Sequence, residues 1–121
     1  MKNFIDRYTY RVIWSEDDEE FVGLCAEFPY LSWLEPTREA ALAGITKVVE
    51  ESIEFMKEDG DPIPEPLQLH KYSGKFMVRV PPDVHRTLAL EAAEQGVSLN
   101  RLVSSRLAPS SGKPTPKRKT A

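Results

Sequence analysis

The chain has 121 residues, 40% of them hydrophobic, and a net charge of −3, a size that suits one ordinary domain or two small ones. No apolar run approaches the ~20 residues of a membrane span, and Met1-Lys2-Asn3-Phe4 lacks the apolar core of a signal peptide, so a cytoplasmic protein is expected. Cys25 is the one cysteine, which excludes an intrachain disulfide and a multi-cysteine zinc site and leaves it a structural strand position.

The small net charge hides a division. Residues 1–72 hold 7 Lys and Arg against 16 Asp and Glu, a balance of −9, whereas residues 73–121 hold 9 against 3, a balance of +6. An acidic half joined to a basic half points to two different partners. Only the basic half suits nucleic acid.

Tyr8-Thr9-Tyr10-Arg11-Val12-Ile13-Trp14 is rich in β-branched and aromatic residues and predicts a first strand. Phe21 to Glu27 predicts a second, so the pair reads as a hairpin. The connection from Ser15 to Glu20 is strongly acidic. Metal chemistry needs ligands that converge, whereas consecutive carboxylates on a hairpin loop diverge. Asp17, Asp18 and Glu19, with Glu20, therefore read as a solvated turn or as an electrostatic rim for a basic partner.

Phe28-Pro29-Tyr30 breaks the pattern, and Leu31 to Leu34 predicts a short third strand. Thr37 then caps a long helix whose first turn holds Glu39, where negative charge suits the dipole. Leu42, Ile45, Val49, Ile53 and Met56 recur at steps of 3 or 4 and predict one apolar stripe, and Gly60 is the stop. The result is β-β-β-α, an antiparallel sheet crossed by a helix. Three prolines stiffen Asp61 to Pro66. Leu67-Gln68-Leu69, at the start of a linker over 67–73, is a candidate fourth strand at the sheet edge.

Lys75 to Val80 alternates Phe76, Val78 and Val80 with Lys75, Met77 and Arg79, the period of a strand with one apolar and one polar face. Pro81-Pro82 ends it. A helix is expected from Asp83 to Gln95, with Val84, Leu88 and Ala92 on one side and Gly96 as its left-handed stop. Ser98 caps a second, from Leu99 to Leu107, with Leu99, Leu102, Val103 and Leu107 on one stripe. A strand and two helices this short cannot bury their own apolar faces. A second copy is the simplest remedy: two strands pair antiparallel across a two-fold axis and leave Lys75, Met77 and Arg79 outward. A homodimer or a higher homo-oligomer is expected.

This stretch resembles the ribbon-helix-helix DNA-binding repressors, and within them the HicB antitoxins. The resemblance rests on Tyr72-Ser73-Gly74-Lys75-Phe76, on Arg79-Val80-Pro81 and on Gly96-Val97-Ser98-Leu99-Asn100. Farther upstream it rests on Thr37-Arg38-Glu39-Ala40-Ala41 and on the phrase from Gly60 to Pro66, and it spans roughly residues 6–107. It implies an α+β chain with a partial RNase H-like domain, β-β-β-α with an optional fourth strand, over 1–66. A linker over 67–73, a ribbon-helix-helix domain over 74–108 and a disordered basic tail over 109–121 follow. The expected partners are operator double-stranded DNA and a HicA-type mRNA-cleaving toxin, and the expected role is neutralising that toxin and repressing the operon.

For DNA the candidate residues are Lys75, Met77 and Arg79, because lysine and arginine donate to guanine while a methionine contacts the thymine methyl. Ser98 and Asn100 stand where the helix N-terminus presents backbone N–H groups to a phosphate. For the toxin the candidates are Tyr30, Trp33, Asp17, Asp18 and Glu19, since aromatics are enriched among interface hot spots. Tyr30 and Trp33 serve equally well as cover for the domain's own core.

An enzyme is not expected. An RNase H-like nuclease needs carboxylates from separate elements around two Mg²⁺ ions, and the strands offer only Asp6 and Glu27. Glu50, Glu51 and Glu54 read as a solvated helix face. No motif surrounds His70 or His85, and neither a cofactor nor a metal is expected. The alternative reading is a stand-alone ribbon-helix-helix regulator whose N-terminal domain senses a ligand or oligomerises.

Overall fold

The computed structural model describes residues 4–109 and divides into two compact units at Gly74 and Lys75. The tail expected to be disordered lies, from residue 110 on, outside the described residues.

The first unit begins with a 3₁₀ turn at Ile5–Arg7. Three strands follow: β1 (Tyr10–Ser15), β2 (Glu20–Cys25) and β3 (Ser32–Glu35). They form one antiparallel sheet in the order β1-β2-β3. The helix α1 (Arg38–Asp59) crosses it. Both ends of α1 are set by local chemistry. Thr37 Oγ1 accepts from the Ala40 N–H at 3.2 Å, and Gly60 adopts φ +75°, where its N–H can close on the last carbonyls.

The register assigns every strand residue to a face, because side chains alternate across the sheet. Val12 stands opposite Gly23, and Gly23 opposite Trp33. A side chain at Gly23 would run into Ala41 O and Ile45 of α1, so this row faces the helix. The neighbouring row, Ile13, Val22 and Leu34, therefore faces away from it. Tyr10, Trp14, Phe21, Cys25 and Glu35 share the helix face; Arg11, Ser15, Glu20, Leu24 and Ser32 share the open one.

The core lies between sheet and helix. Tyr8, Cys25, Phe28, Ile45, Val49 and Ile53 are buried together, with Phe4, Ile5, Tyr10, Leu31, Met56 and Ile63 packed around them. The stripe on α1 differs from expectation in one place. Leu42 is 44% exposed, and Ala41 is fully buried instead. The backbone of β2 comes so close at Gly23 that only a methyl-sized side chain fits beneath it.

The expected fourth strand is not formed. Leu67–Leu69 turns instead, with Leu69 N–H donating to Pro66 C=O at 3.0 Å. The proline segment before it is tied to the first unit: Pro66 is fully buried, and the Tyr8 hydroxyl donates to Pro64 C=O at 2.8 Å. Those contacts fix the chain at the mouth of the core, and a proline-rich run has too few donors to extend a sheet.

The second unit holds α2 (Pro82–Gln95) and α3 (Leu99–Leu107). Proline opens α2, and Gly96 closes it at φ +70°, with Gly96 N–H reaching Ala93 C=O and Val97 N–H reaching Ala92 C=O. Ser98 caps α3 by accepting from Arg101 N–H at 3.0 Å. Arg106 pairs with Glu91 across the two helices. Among the described residues of this unit only Ala92 and Leu102 are fully buried; Leu88, Leu99 and Val103 are half-buried, and Val84 and Leu107 are exposed.

Candidate functional site

In the second unit, residues 75–80 carry no strand within the single chain. A strand is defined by its ladder, and one chain supplies no neighbour to hydrogen-bond with. The alternating apolar residues are accordingly in solvent: Phe76 is 76% exposed, Val78 62% and Val80 42%. Lys75, Met77 and Arg79 are exposed as well. The candidate DNA-reading side chains thus sit on six consecutive residues, with Pro81 (φ −57°, ψ 147°) turning the chain into α2. Ser98 has its hydroxyl committed to capping, whereas Asn100 is exposed in the first turn of α3.

In the first unit the proposed toxin contacts fall in separate places. Asp17, Asp18 and Glu19 are exposed in the β1–β2 turn. Ser15 Oγ donates to Asp18 Oδ2 at 2.8 Å, and the Trp14 indole N–H donates to Glu16. Glu19 holds φ +53°, a left-handed conformation that a hairpin reversal demands. Tyr30 lies beyond the other end of the strands, next to the Leu24–Ser32 pair, and stacks edge to face on Phe28 at 6.3 Å. Six-residue strands set these two groups roughly 17 Å apart. Trp33 is on the helix face. Its ring fills the notch left by Gly44 of α1, and its indole N–H donates to Glu35 Oε2 at 2.7 Å. These contacts seat the ring on α1 while leaving Trp33 40% exposed.

Glu27 has a structural task that its isolated position in the sequence does not signal. Its carboxylate accepts from Thr9 N–H at 2.9 Å, from Thr9 Oγ1 at 3.2 Å and from Leu67 N–H at 2.9 Å. One side chain thus joins the entry of β1 to the end of the proline segment. Partial burial pushes its pKa up, but the N–H donors of Leu67 and Thr9 outweigh that and hold it below the ordinary 4.5. The neighbouring core raises its own acids: burial, with the nearby Cys25 and Glu27, lifts Tyr8 to about 12. Burial likewise lifts the Cys25 thiol to about 11, so Cys25 is an unreactive core residue at neutral pH.

A groove of about 730 Å³ runs between the 3₁₀ turn, the C-terminal half of α1 and Ile63, open to solvent. Its rim carries Asp6, Glu50, Glu51 and Glu54 with Lys47 and Lys57. Among the described residues, no three His, Cys, Asp or Glu side chains are gathered as a metal site. No helix among them is long and apolar enough to cross a membrane.

Among the described residues the fold is mixed α+β, with a three-stranded antiparallel sheet and three α-helices. Residues 53–107, from the last turns of α1 through α3, match the model of the HicB family. The match covers a little under half of the chain and marks a likeness to that family over this stretch. Neither the curated proteins nor the solved structures give a match.

Proposed function

We propose that this chain is an antitoxin that acts by binding rather than catalysis, with a toxin-binding first unit and a DNA-binding second unit. The first unit takes a small basic HicA-type ribonuclease and shields it. The second pairs with a second copy through residues 75–80 as a ribbon-helix-helix and places Lys75, Met77 and Arg79 against operator DNA.

The observation that carries the DNA-binding half is the exposed alternation at 75–80. Three apolar side chains of one parity are in water, beside two buried residues among those described in the unit. A unit so poor in core is short of stability unless another surface covers it. A second ribbon of the same sequence supplies both the backbone ladder and the apolar cover. The opposite parity then presents two cations per chain to the major groove. The toxin-binding half is supported by the HicB match and by the −9 balance of residues 1–72, which attracts a basic partner and speeds encounter.

Two experiments test the reading. Co-expression with the small basic open reading frame beside its gene should give a stable complex and relieve growth arrest; no complex and no toxicity sinks the antitoxin role. In mobility-shift assays Arg79→Ala should weaken operator binding by about 1–3 kcal/mol while leaving random DNA almost unchanged. Equal loss on both makes Arg79 a phosphate contact. Coupling of the two activities predicts that toxin changes the affinity of the antitoxin for its operator; constant affinity at every toxin ratio refutes it.

A further inference from the structure

We infer that the uncovered face of the three-stranded sheet is where the first unit docks its basic protein partner. This inference rests on the antitoxin reading above and adds the surface.

An antiparallel sheet with one face in water should be polar at its outward positions. Here the central outward row is Ile13, Val22 and Leu34, in register across all three strands, with Leu24 beside Val22 on β2. Ile13 is 43% exposed and Leu34 39%; Val22 and Leu24 are half-buried between them. No element of the described unit covers this row, since α1 occupies the other side. The patch spans the full width of the sheet, and a contiguous apolar patch rimmed by polar residues marks an interaction site.

The charge around the patch selects the occupant. At the Ser15–Glu20 end, the turn sets Glu16, Asp17, Asp18 and Glu19 beside it, and Glu20 points out of the open face itself. Arg11 is the one cation among the outward strand residues. Such a rim repels nucleic acid and anionic lipid. It also disfavours a second copy, which would bring its own five carboxylates to the same surface. A small basic protein with an apolar spot among its lysines and arginines satisfies both features: the spot covers Ile13, Val22 and Leu34, and the cations face the turn.

Isothermal titration of the full chain with the purified HicA-type partner, at low and raised salt, tests this. Ile13→Ser combined with Leu34→Ser should weaken binding at least about tenfold, a loss typical of a buried interface centre. Ile13 and Leu34 keep more than half of their surface packed, so the variant should melt lower, and binding is compared at a temperature where circular dichroism shows it fully folded. Asp17→Asn, Asp18→Asn and Glu19→Gln together should slow association several-fold and flatten its salt dependence. Phe55→Ser, at an exposed site on α1, should change nothing. Wild-type affinity in the Ile13/Leu34 variant overturns the docking surface while the antitoxin reading stands. A changed oligomeric mass at unchanged affinity assigns the face to a second copy and overturns it too. Absence of binding by the wild-type chain brings down the antitoxin reading and this inference together.

Discussion

Gly44→Ala tests how β3 is seated on α1. An added Cβ there lies 1.9 Å from Cδ1, 2.1 Å from Nε1 and 2.5 Å from Cγ of Trp33. Because Cγ is the root of the ring, no small swing of its far edge relieves the overlap; the whole indole must leave its rotamer. Trp33 is 40% exposed, so it buries about 120 Å² of a side chain of ~200 Å², or about 3 kcal/mol at 25 cal/mol per Å². Losing half to all of that costs about 1.5–3 kcal/mol. The better helix propensity of alanine returns about 1 kcal/mol, leaving a net loss of about 0.5–2 kcal/mol. The sign should reverse once the ring is gone: in a Trp33→Ala background, Gly44→Ala should stabilise by about 1 kcal/mol. Urea unfolding followed by far-ultraviolet circular dichroism measures all four corners of the cycle. If Gly44→Ala stabilises both backgrounds equally, the indole does not occupy the notch and the assignment of Trp33 to the helix face is wrong.

Glu27→Gln should destabilise the first unit by about 1–3 kcal/mol at neutral pH, because one amide oxygen replaces a charged acceptor of four hydrogen bonds, from Thr9 N–H, Thr9 Oγ1, Leu67 N–H and Cys25 Sγ. The folded pKa of Glu27 is depressed, so its contribution is complete above the ordinary 4.5 and is lost as pH falls through the lower folded value. The difference between variant and wild type should therefore shrink in urea titrations below pH 4.5; a constant difference refutes the charge argument. At the other extreme, Tyr8 and Tyr10 rise from 10.0 to about 12 and Cys25 from 9.0 to about 11, burial being the first cause in each case. Raised acids of this kind favour the fold below their ordinary values and withdraw that support as pH rises to the folded ones. The urea midpoint should fall from about pH 9 upward, and a Cys25→Ala variant should lose only its own share of that slope.

Much of the helical architecture was legible because its signals are local. Thr37, Gly60, Gly96 and Ser98 act within one turn of their own positions, and each terminates or caps where its side chain or missing side chain dictates. The first hairpin followed from alternation and a short acidic turn. What escaped depends on residues distant in sequence. Leu42 fits the α1 stripe by spacing, yet the close approach of Gly23 to Ala41 rotates the buried side past it. Leu67-Gln68-Leu69 has strand-like residues, but Glu27, 40 residues earlier, takes the Leu67 N–H. Likewise, the seat of the Trp33 ring on Gly44, 11 residues later, is not marked by spacing. The outward aliphatics of the open face become visible only through the register, since period 2 alone marks two faces without saying which one the helix covers.

The two units differ in what they can do unaided. The first closes its own core and ties its exit segment down through Tyr8, Glu27 and the buried Pro66. The second has capped, well-formed helices but, among its described residues, only Ala92 and Leu102 buried. Helix propensity and caps supply a few kcal/mol at most, and isolated helices of 14 and 9 residues are marginal in water. Under the proposed pairing, folding of the second unit is inseparable from dimer formation, so its stability rises with protein concentration by mass action. DNA that engages both ribbons would add to that stability. Under the proposed function, the toxin-binding unit would stay folded at low abundance while the DNA-binding unit would respond to how much of the protein is present.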